Sequence, residues 1–279
     1  MTVPPRRIRL DLAYDGTDFA GWQFQPGQRT VQGEIEQALA ELHGGQPVRV
    51  RGAGRTDSGV HASQQVADCE VRCRLNDAEL EHALRRLLSR DVRPLRVATV
   101  PPHFHSRKDA TSKTYHYLLD ASRHGDPFVA RYALHFPHRL DLELLRRALD
   151  LLPGRRDWTG FTASTCGKSH RVRTLADARL QATERELFCF TFTADGFLRY
   201  MVRNLVGTLL DVGCGRVPLA RIAQILETRD RDLASATAAP HGLTLTRVRY
   251  AEDVPPHAPL LPLWPADGPR ATSPPAEGR

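Results

Sequence analysis

The chain holds 279 residues, 41% apolar and 25% charged, a composition that can bury one large or two small cores and that excludes disorder throughout. No apolar run approaches the roughly 20 residues of a membrane span, and Met1 to Arg7 lacks the apolar stretch of a signal peptide, so a cytoplasmic protein without a membrane partner is expected. Thirty-nine lysines and arginines against 32 acids give a formal charge of +7, which points to a polyanionic partner, nucleic acid first.

Ile8, Leu10, Leu12 and Tyr14 alternate with polar or small residues, the period of a half-buried strand. Val31, Ile35, Ala38, Leu39 and Leu42 then follow helical spacing until Gly44-Gly45 stops the run. Strands are expected at Val48–Val50 and Gln65–Val71, a second helix after Asn76-Asp77 with Leu80, Leu84, Leu87 and Leu88 on one side, and a strand from Leu95 to Val100. The order is β-α-β-β-α-β.

The second half repeats it. A strand is expected over 113–119, a helix over 140–152 between Asp141 and Pro153-Gly154, and strands near 173–181 and 186–193. Leu198, Met201, Val202, Leu205 and Leu209 predict a helix over 198–212, a short helix follows Pro218, and Leu243 to Val248 closes as a strand. Two split β-α-β halves imply an α+β fold with a largely antiparallel or mixed sheet and helices on one face. Pro101-Pro102 marks the boundary, giving an N-terminal half over 1–103 and a C-terminal half over 104–254. The remainder, 255–279, holds 8 of the 20 prolines without periodicity and is expected to be extended or disordered.

Lysine stands only at positions 108, 113 and 168, so 36 of the 39 cations are arginines. Their planar fork suits phosphates and guanine edges, although a compositional bias toward arginine explains the excess equally well. Five cysteines, an odd number without a C-x-x-C pair, argue against a disulfide framework and a zinc knuckle. His61, His103 and His105 have no carboxylate or cysteine at ligand spacing, so no metal is expected.

The densest cluster of special residues is Gly52-Ala-Gly-Arg-Thr-Asp-Ser-Gly-Val-His-Ala, between two expected strands. A phosphate-binding loop would need lysine and a hydroxyl residue after Gly59, where Val60 and His61 stand. A dinucleotide fingerprint fails on its glycine spacing and on the lack of a parallel unit around it. Asp57-Ser58-Gly59 has the form of an aspartic-protease loop, but that chemistry shares a proton between two such carboxylates and the chain has one motif. Arg55, two residues away, would hold Asp57 ionised. A lone ionised aspartate suits nucleophilic or base work; the plainer reading is a glycine-rich hairpin whose Asp satisfies its own turn.

Residues 53–61 match throughout the signature A-G-R-T-D-x-G-V-H of the TruA-type tRNA pseudouridine synthases, and the chain resembles that family in register elsewhere. The matching stretches are Tyr14-Asp-Gly-Thr-Asp-Phe-Ala-Gly-Trp-Gln, Thr30-Val-Gln, Phe104-His-Ser-Arg, Lys113-Thr-Tyr-His-Tyr, Asp157-Trp-Thr-Gly-Phe, Met201-Val-Arg-Asn-Leu-Val-Gly and Gly242-Leu-Thr-Leu. The resemblance spans residues 8 to 250. It departs at Leu87-Leu-Ser-Arg-Asp-Val-Arg-Pro, where Asn-x-x-Leu-Pro-x-Asp-Ile is usual.

The resemblance implies the pseudouridine synthase fold and isomerisation of uridine to pseudouridine at positions 38, 39 and 40 of the tRNA anticodon arm. It further implies a homodimer that needs no cofactor, small-molecule or metal. It makes Asp57 the catalytic aspartate, Tyr115 the aromatic that stacks on the flipped uracil, Arg203 the partner of the catalytic carboxylate and Arg55 a contact to RNA beside the flipped base. Each has a plainer alternative: Tyr115 and Tyr117 as ordinary strand residues, Arg203 on a solvated helix face, Arg55 bracing its turn. Arg199, Arg203 and Gly207 lie four apart, so the polar stripe of that helix contains a gap for close approach. A basic RNA-binding module without catalysis is the alternative from another class, disfavoured because the aromatic ribonucleoprotein signature is absent; a D-S-G hydrolase is the other.

Overall fold

The computed structural model describes residues 3–163, 170–182 and 186–251. The proline-rich 255–279 segment, Cys166 and Lys168 lie outside the described residues.

Most local signals act as read. β1 (Arg6–Tyr14) turns Ile8, Leu10 and Leu12 into the core. Thr30 starts α1 (Val31–Leu42) by accepting from the Gly33 amide, and α1 buries Ile35 and Leu39 completely. β2 (Arg51–Gly52) and β3 (His61–Val71) follow. Asn76 and Glu79 form a reciprocal capping box at the start of α2 (Asp77–Leu87), and β4 (Val92–Thr99) ends the first half. The second half runs β5 (Ala110–Asp120), β6 (Ala133–His135), α3 (Leu142–Asp150), β7 (Gly154–Asp157), β8 (Val172–Ala182), β9 (Leu187–Ala194), α4 (Met201–Gly213), α5 (Ala220–Thr228) and β10 (Leu243–Tyr250). Asp141 caps α3 by accepting from the Leu144 amide.

Two elements move from their expected places. The strand read at Val48–Val50 lies at Arg51–Gly52, because α1 takes both backbone groups of Val50: its amide donates to Glu36 Oε1 at 2.9 Å and its carbonyl accepts from Gln32 Nε2 at 3.1 Å. The helix read from Leu198 starts at Met201, because Tyr200 adopts left-handed backbone with φ 63°.

The strands form one mixed sheet in the order β4-β1-β3-β10-β5-β9-β8-β7, with β2 paired to β3 and β6 to β5. The first half reads β4-β1-β3-β2 and the second β10-β5-β9-β8, the same order twice, so the repeated pattern in the sequence is a repeated topology. β10 joins the halves by pairing in parallel with β3, Thr244 opposite His61 and Leu245 opposite Ala62, while its other edge pairs antiparallel with β5. The α+β class and mixed sheet are those expected.

Behind the apolar face of β1, alternation places Arg9 and Asp11 on the other side, where they are buried and paired at 2.6 Å. Asp68, opposite Arg9 in the ladder, is fully buried and accepts from Arg7 Nη1 at 3.1 Å and the Ser106 amide at 2.9 Å. Tyr250 Oη donates to the Ser106 carbonyl at 2.7 Å. The linker between the halves is therefore a strap packed across the sheet.

α4 is buried on nearly every side, as its apolar run demands. Within it, a Cβ on Gly207 would stand 1.9 Å from the Ala236 carbonyl oxygen. Alanine in a helix interior is ordinarily favoured over glycine by about 1 kcal/mol. Here we expect the opposite: Gly207→Ala lowers stability by ~1–3 kcal/mol, the cost of overpacking against backbone, as read from chemical denaturation. A neutral or stabilised variant would contradict this packing.

Candidate active site

The loop from Ala53 to Val60 crosses from β2 to β3 and is fixed at both ends. The buried Gln65 amide donates to the Gly54 carbonyl at 2.9 Å and accepts from the Gly54 amide at 3.3 Å. Thr56 Oγ1 and Tyr14 Oη share a hydrogen bond of 2.8 Å, and the Trp22 amide donates to the Thr56 carbonyl at 3.0 Å. Ser58 Oγ and the Gly59 amide both donate to the Phe19 carbonyl. The Tyr14–Trp22 stretch is thus the loop's scaffold. Gly16 is obligatory in it, since a Cβ there would lie 2.0 Å from the Val60 carbonyl oxygen. Both ring nitrogens of His61 are engaged within the protein: the Gly16 amide donates to Nδ1 at 3.0 Å, Asp15 Oδ1 lies 3.2 Å from the same nitrogen, and Nε2 lies 3.1 Å from the His241 carbonyl oxygen.

Asp57 begins a turn in which its carbonyl accepts from the Val60 amide at 3.1 Å, with Gly59 at φ 75° where glycine fits without strain. Backbone closes this turn, and the carboxylate faces Arg203 instead: Nη1 of Arg203 lies 3.6 Å from Oδ2 of Asp57. Arg203, in the first turn of α4, is steadied by Nε donating to the Ala238 carbonyl at 2.7 Å. It does not lie on a solvated helix face, its side chain being 13% exposed. Burial pushes the Asp57 carboxyl above its ordinary value of 3.8, and the charges of Arg203 and Arg199 offset part of that rise. Proximity in sequence points to Arg55 for this electrostatic task, and the family resemblance to Arg203. Arg55 is exposed on the same cleft, and the cations acting on the carboxylate come from the α4 end instead.

Tyr115, on β5, is 7% exposed and packs edge-on against Phe197 with ring centroids 5.0 Å apart. Burial, reinforced by the nearby Tyr14 and Asp57, raises its hydroxyl pKa far above the ordinary range, so the group stays protonated. Tyr117, two residues on, donates to the Ala239 carbonyl at 2.9 Å and is a structural strand residue. The glycine loop comes close to Tyr115, since a Cβ on Gly54 would be 3.7 Å from its hydroxyl oxygen.

Asp57, Tyr115, Arg55 and Arg203 all line one cleft of about 1410 Å³. Among the described residues, seven lysines and arginines line it against two carboxylates, Asp57 and Asp195. Arg51, Arg107, Lys113, Arg173 and Arg199 are the cations beyond those read as site residues. Lys113, within its motif, and Arg199, in the polar stripe of α4, had a signal in the sequence. Arg107 too stands in a matching stretch, Phe104-His-Ser-Arg, whereas Arg51 and Arg173 had no signal, because only folding brings β2 and β8 to the cleft. Among the described residues, no group of three or more His, Cys, Asp or Glu side chains could hold a metal ion.

A carboxylate lodged in a cationic cleft beside a neutral phenol belongs to an enzyme acting on a polyanion. The chain belongs to the tRNA pseudouridine synthase family, whose model matches residues 12–109 and 148–251. It is 44% identical over 247 residues to the tRNA pseudouridine synthase A of Streptococcus gordonii, an alignment that takes in 88% of this chain and 99% of the relative. The protein of the same name from Streptococcus sanguinis is 43% identical over the same coverage. Among solved structures, a Cbf5-Nop10-Gar1 complex aligns with 85% of this chain and 57% of its own at 14% identity and a TM-score of 0.33, a likeness that carries no argument.

The raised pKa of Asp57 has a consequence for stability. Between 3.8 and the folded-state value, the folded protein binds more protons at this site than the unfolded chain does, so stability falls as pH rises through that interval. At neutral pH the ionised Asp57 is a net burden on the fold. Asp57→Asn should therefore raise rather than lower the melting temperature at pH 7, with the gain shrinking as pH falls toward 4. A calorimetric drop in melting temperature at pH 7 would show that Asp57 braces its loop.

Proposed function

We propose that the chain isomerises uridine to pseudouridine in tRNA, with Asp57 as the nucleophile, Tyr115 stacking on the flipped uracil, Arg203 pairing with the carboxylate and Arg55 contacting RNA beside the flipped nucleotide. The observation that carries this reading is the Asp57 carboxylate, held by charge at 3.6 Å from Arg203 with Tyr115 on the same cleft wall. Two halves, 1–103 with the aspartate loop and 104–254 with Tyr115 and Arg203, act as one unit across the β3–β10 seam. The targets are uridines 38, 39 and 40 of the anticodon arm and the enzyme is a homodimer, as the family resemblance implies; it works in the cytoplasm, as the lack of an apolar span in the sequence leads us to expect.

The chemistry makes few demands beyond positioning. The C1′–N1 bond breaks, a C1′–C5 bond forms, the C5 hydrogen leaves as a proton and N1 gains one, so atoms balance without a reagent. The uridine must first leave its stack, which costs a few kcal/mol and is offset by contacts in the cleft. Cleft cations hold the phosphates on either side. An ionised carboxylate can add to C6 of the base or to C1′ of the sugar, and either route needs it aimed and free of hydrogen bonds to its attacking oxygen. A neutral Tyr115 offers a flat wall and a hydroxyl donor but no base.

Incubation with tRNA tritiated at uridine C5, in EDTA and without nucleotide, should release tritium to water and leave pseudouridine in place of uridine, because forming the new bond at C5 expels that hydrogen. No release from any tRNA by a folded, RNA-binding preparation would reduce the protein to a binding module, and peptide cleavage at low pH would favour the D-S-G hydrolase instead.

Single-turnover kinetics divide the two parts of Tyr115. Tyr115→Phe keeps the stacking surface and loses only the hydroxyl. Tyr115→Ala loses both, and the flipped base should bind more weakly by about 1–3 kcal/mol. Identical kinetics for wild type and both variants would remove Tyr115 from the site.

A further inference from the structure

Tyr200, immediately ahead of α4, has φ 63° and ψ 2°, left-handed backbone that is an outlier for a bulky side chain. Arg229 has a similar backbone with an ordinary reason, since it ends α5 as its C-cap. Tyr200 is the N-cap of α4 and its carbonyl accepts from the Asn204 amide at 2.9 Å, but its side chain makes no cap hydrogen bond. Its ring instead carries two guanidiniums. Arg199 Cζ lies 4.9 Å from the ring centroid and Arg203 Cζ 5.0 Å, and Arg199 Nη2 also donates to the Tyr200 hydroxyl at 3.3 Å. These are the two cations that act on Asp57.

We propose that Tyr200 is a positioning residue for Asp57: the strained turn places its ring against both guanidiniums and so keeps Arg199 and Arg203 aimed at the carboxylate. The inference rests on the reading of Asp57 as nucleophile. It touches no reacting atom, and it explains why an aromatic occupies a backbone position that suits Asn or Gly. Cation–π attraction supplies the hold, and it is stronger where water is partly excluded, as on this half-buried ring. Arg203 keeps a second anchor at the Ala238 carbonyl, so losing the ring should loosen the pair without releasing it. The neutral Tyr115 from β5 also acts near the carboxylate, and Lys113 and Arg55 line the same cleft.

The test uses the full chain with Tyr200→Asn, which removes the ring and fits the left-handed turn, and Tyr200→Phe, which keeps the ring. Three readouts are taken: melting temperature, kcat/KM for tritium release against pH, and titration of a carbon-13-labelled Asp57 carboxyl. Tyr200→Asn should melt no lower than wild type. Its rate at neutral pH should fall about 3- to 10-fold, with the acid limb and the Asp57 titration both moved up by roughly half to one pH unit. Tyr200→Phe should restore wild-type behaviour in all three. An unmoved Asp57 titration in Tyr200→Asn overturns the proposal, whether the rate is unchanged or falls together with the melting temperature. The underlying reading fails separately: if Asp57→Asn still turned over, Asp57 would not be the nucleophile, yet a moved titration in Tyr200→Asn would still establish the hold of Tyr200 on the carboxylate.

Discussion

Leu245 pairs with Ala62 on one side and Tyr115 on the other, so a single residue of β10 fixes how the two halves meet. Ala62 lies just beyond the aspartate loop and Tyr115 is the aromatic wall of the cleft. The site geometry is therefore a matter of strand register. A slip of one residue in the β10–β5 ladder would turn Tyr115 to the opposite face, because side chains alternate along a strand. The parallel contact with β3 covers only two register pairs, so it does not hold unaided. Behind it, the strap from Pro101 to Asp109 ties both halves to the sheet through the Ser106 bonds to Asp68 and Tyr250.

Given that seam, the loop still has to be held, and the hydrogen bonds that pin it at Gly54, Thr56, Ser58 and Gly59 come from the first half. Tyr14, Gly16, Phe19 and Trp22 each meet the loop backbone or side chains, and Gln65 clamps Gly54 from the next strand. The cationic partners arrive from the second half on α4. One half therefore supplies the carboxylate and the other the charges that tune it.

The sequence made the local parts legible and left the long-range ones hidden. The period-2 pattern of β1, the caps at Thr30, Asn76 and Asp141, and the gap at Gly207 are physical signals within a few residues, and each is present in the fold. The displacement of β2 was not readable, because it depends on which backbone groups Gln32 and Glu36 reach once α1 has packed. β7, Gly-Arg-Arg-Asp, has no apolar residue to mark it and pairs at the sheet edge through its backbone. Sequence proximity made Arg55 the natural neighbour of Asp57, but an exposed side chain in a turn exerts less than Arg203 arriving from a buried helix. Helical spacing likewise extended α4 back to Leu198, since no sequence pattern announces that Tyr200 will adopt a left-handed turn.

The way Asp57 is held differs from the way this protein holds its structural aspartates, and that contrast explains what the site can do. At Asp68, Asp120 and Asp157 burial opposes ionisation, yet hydrogen bonds from backbone amides, hydroxyls or guanidiniums outweigh it and lower the pKa. Asp120, for example, accepts from the Ser122 amide at 3.0 Å and the Asp126 amide at 2.7 Å. Such a carboxylate is stable as an anion because its lone pairs are engaged, and for the same reason it is a poor nucleophile. Asp57 goes the other way: burial prevails, and the compensation comes mainly from the charges of Arg203 and Arg199. Asp57 is thus held chiefly by charge, with Arg203 at 3.6 Å, rather than by a cage of short hydrogen bonds, which is the condition the proposed nucleophilic role requires.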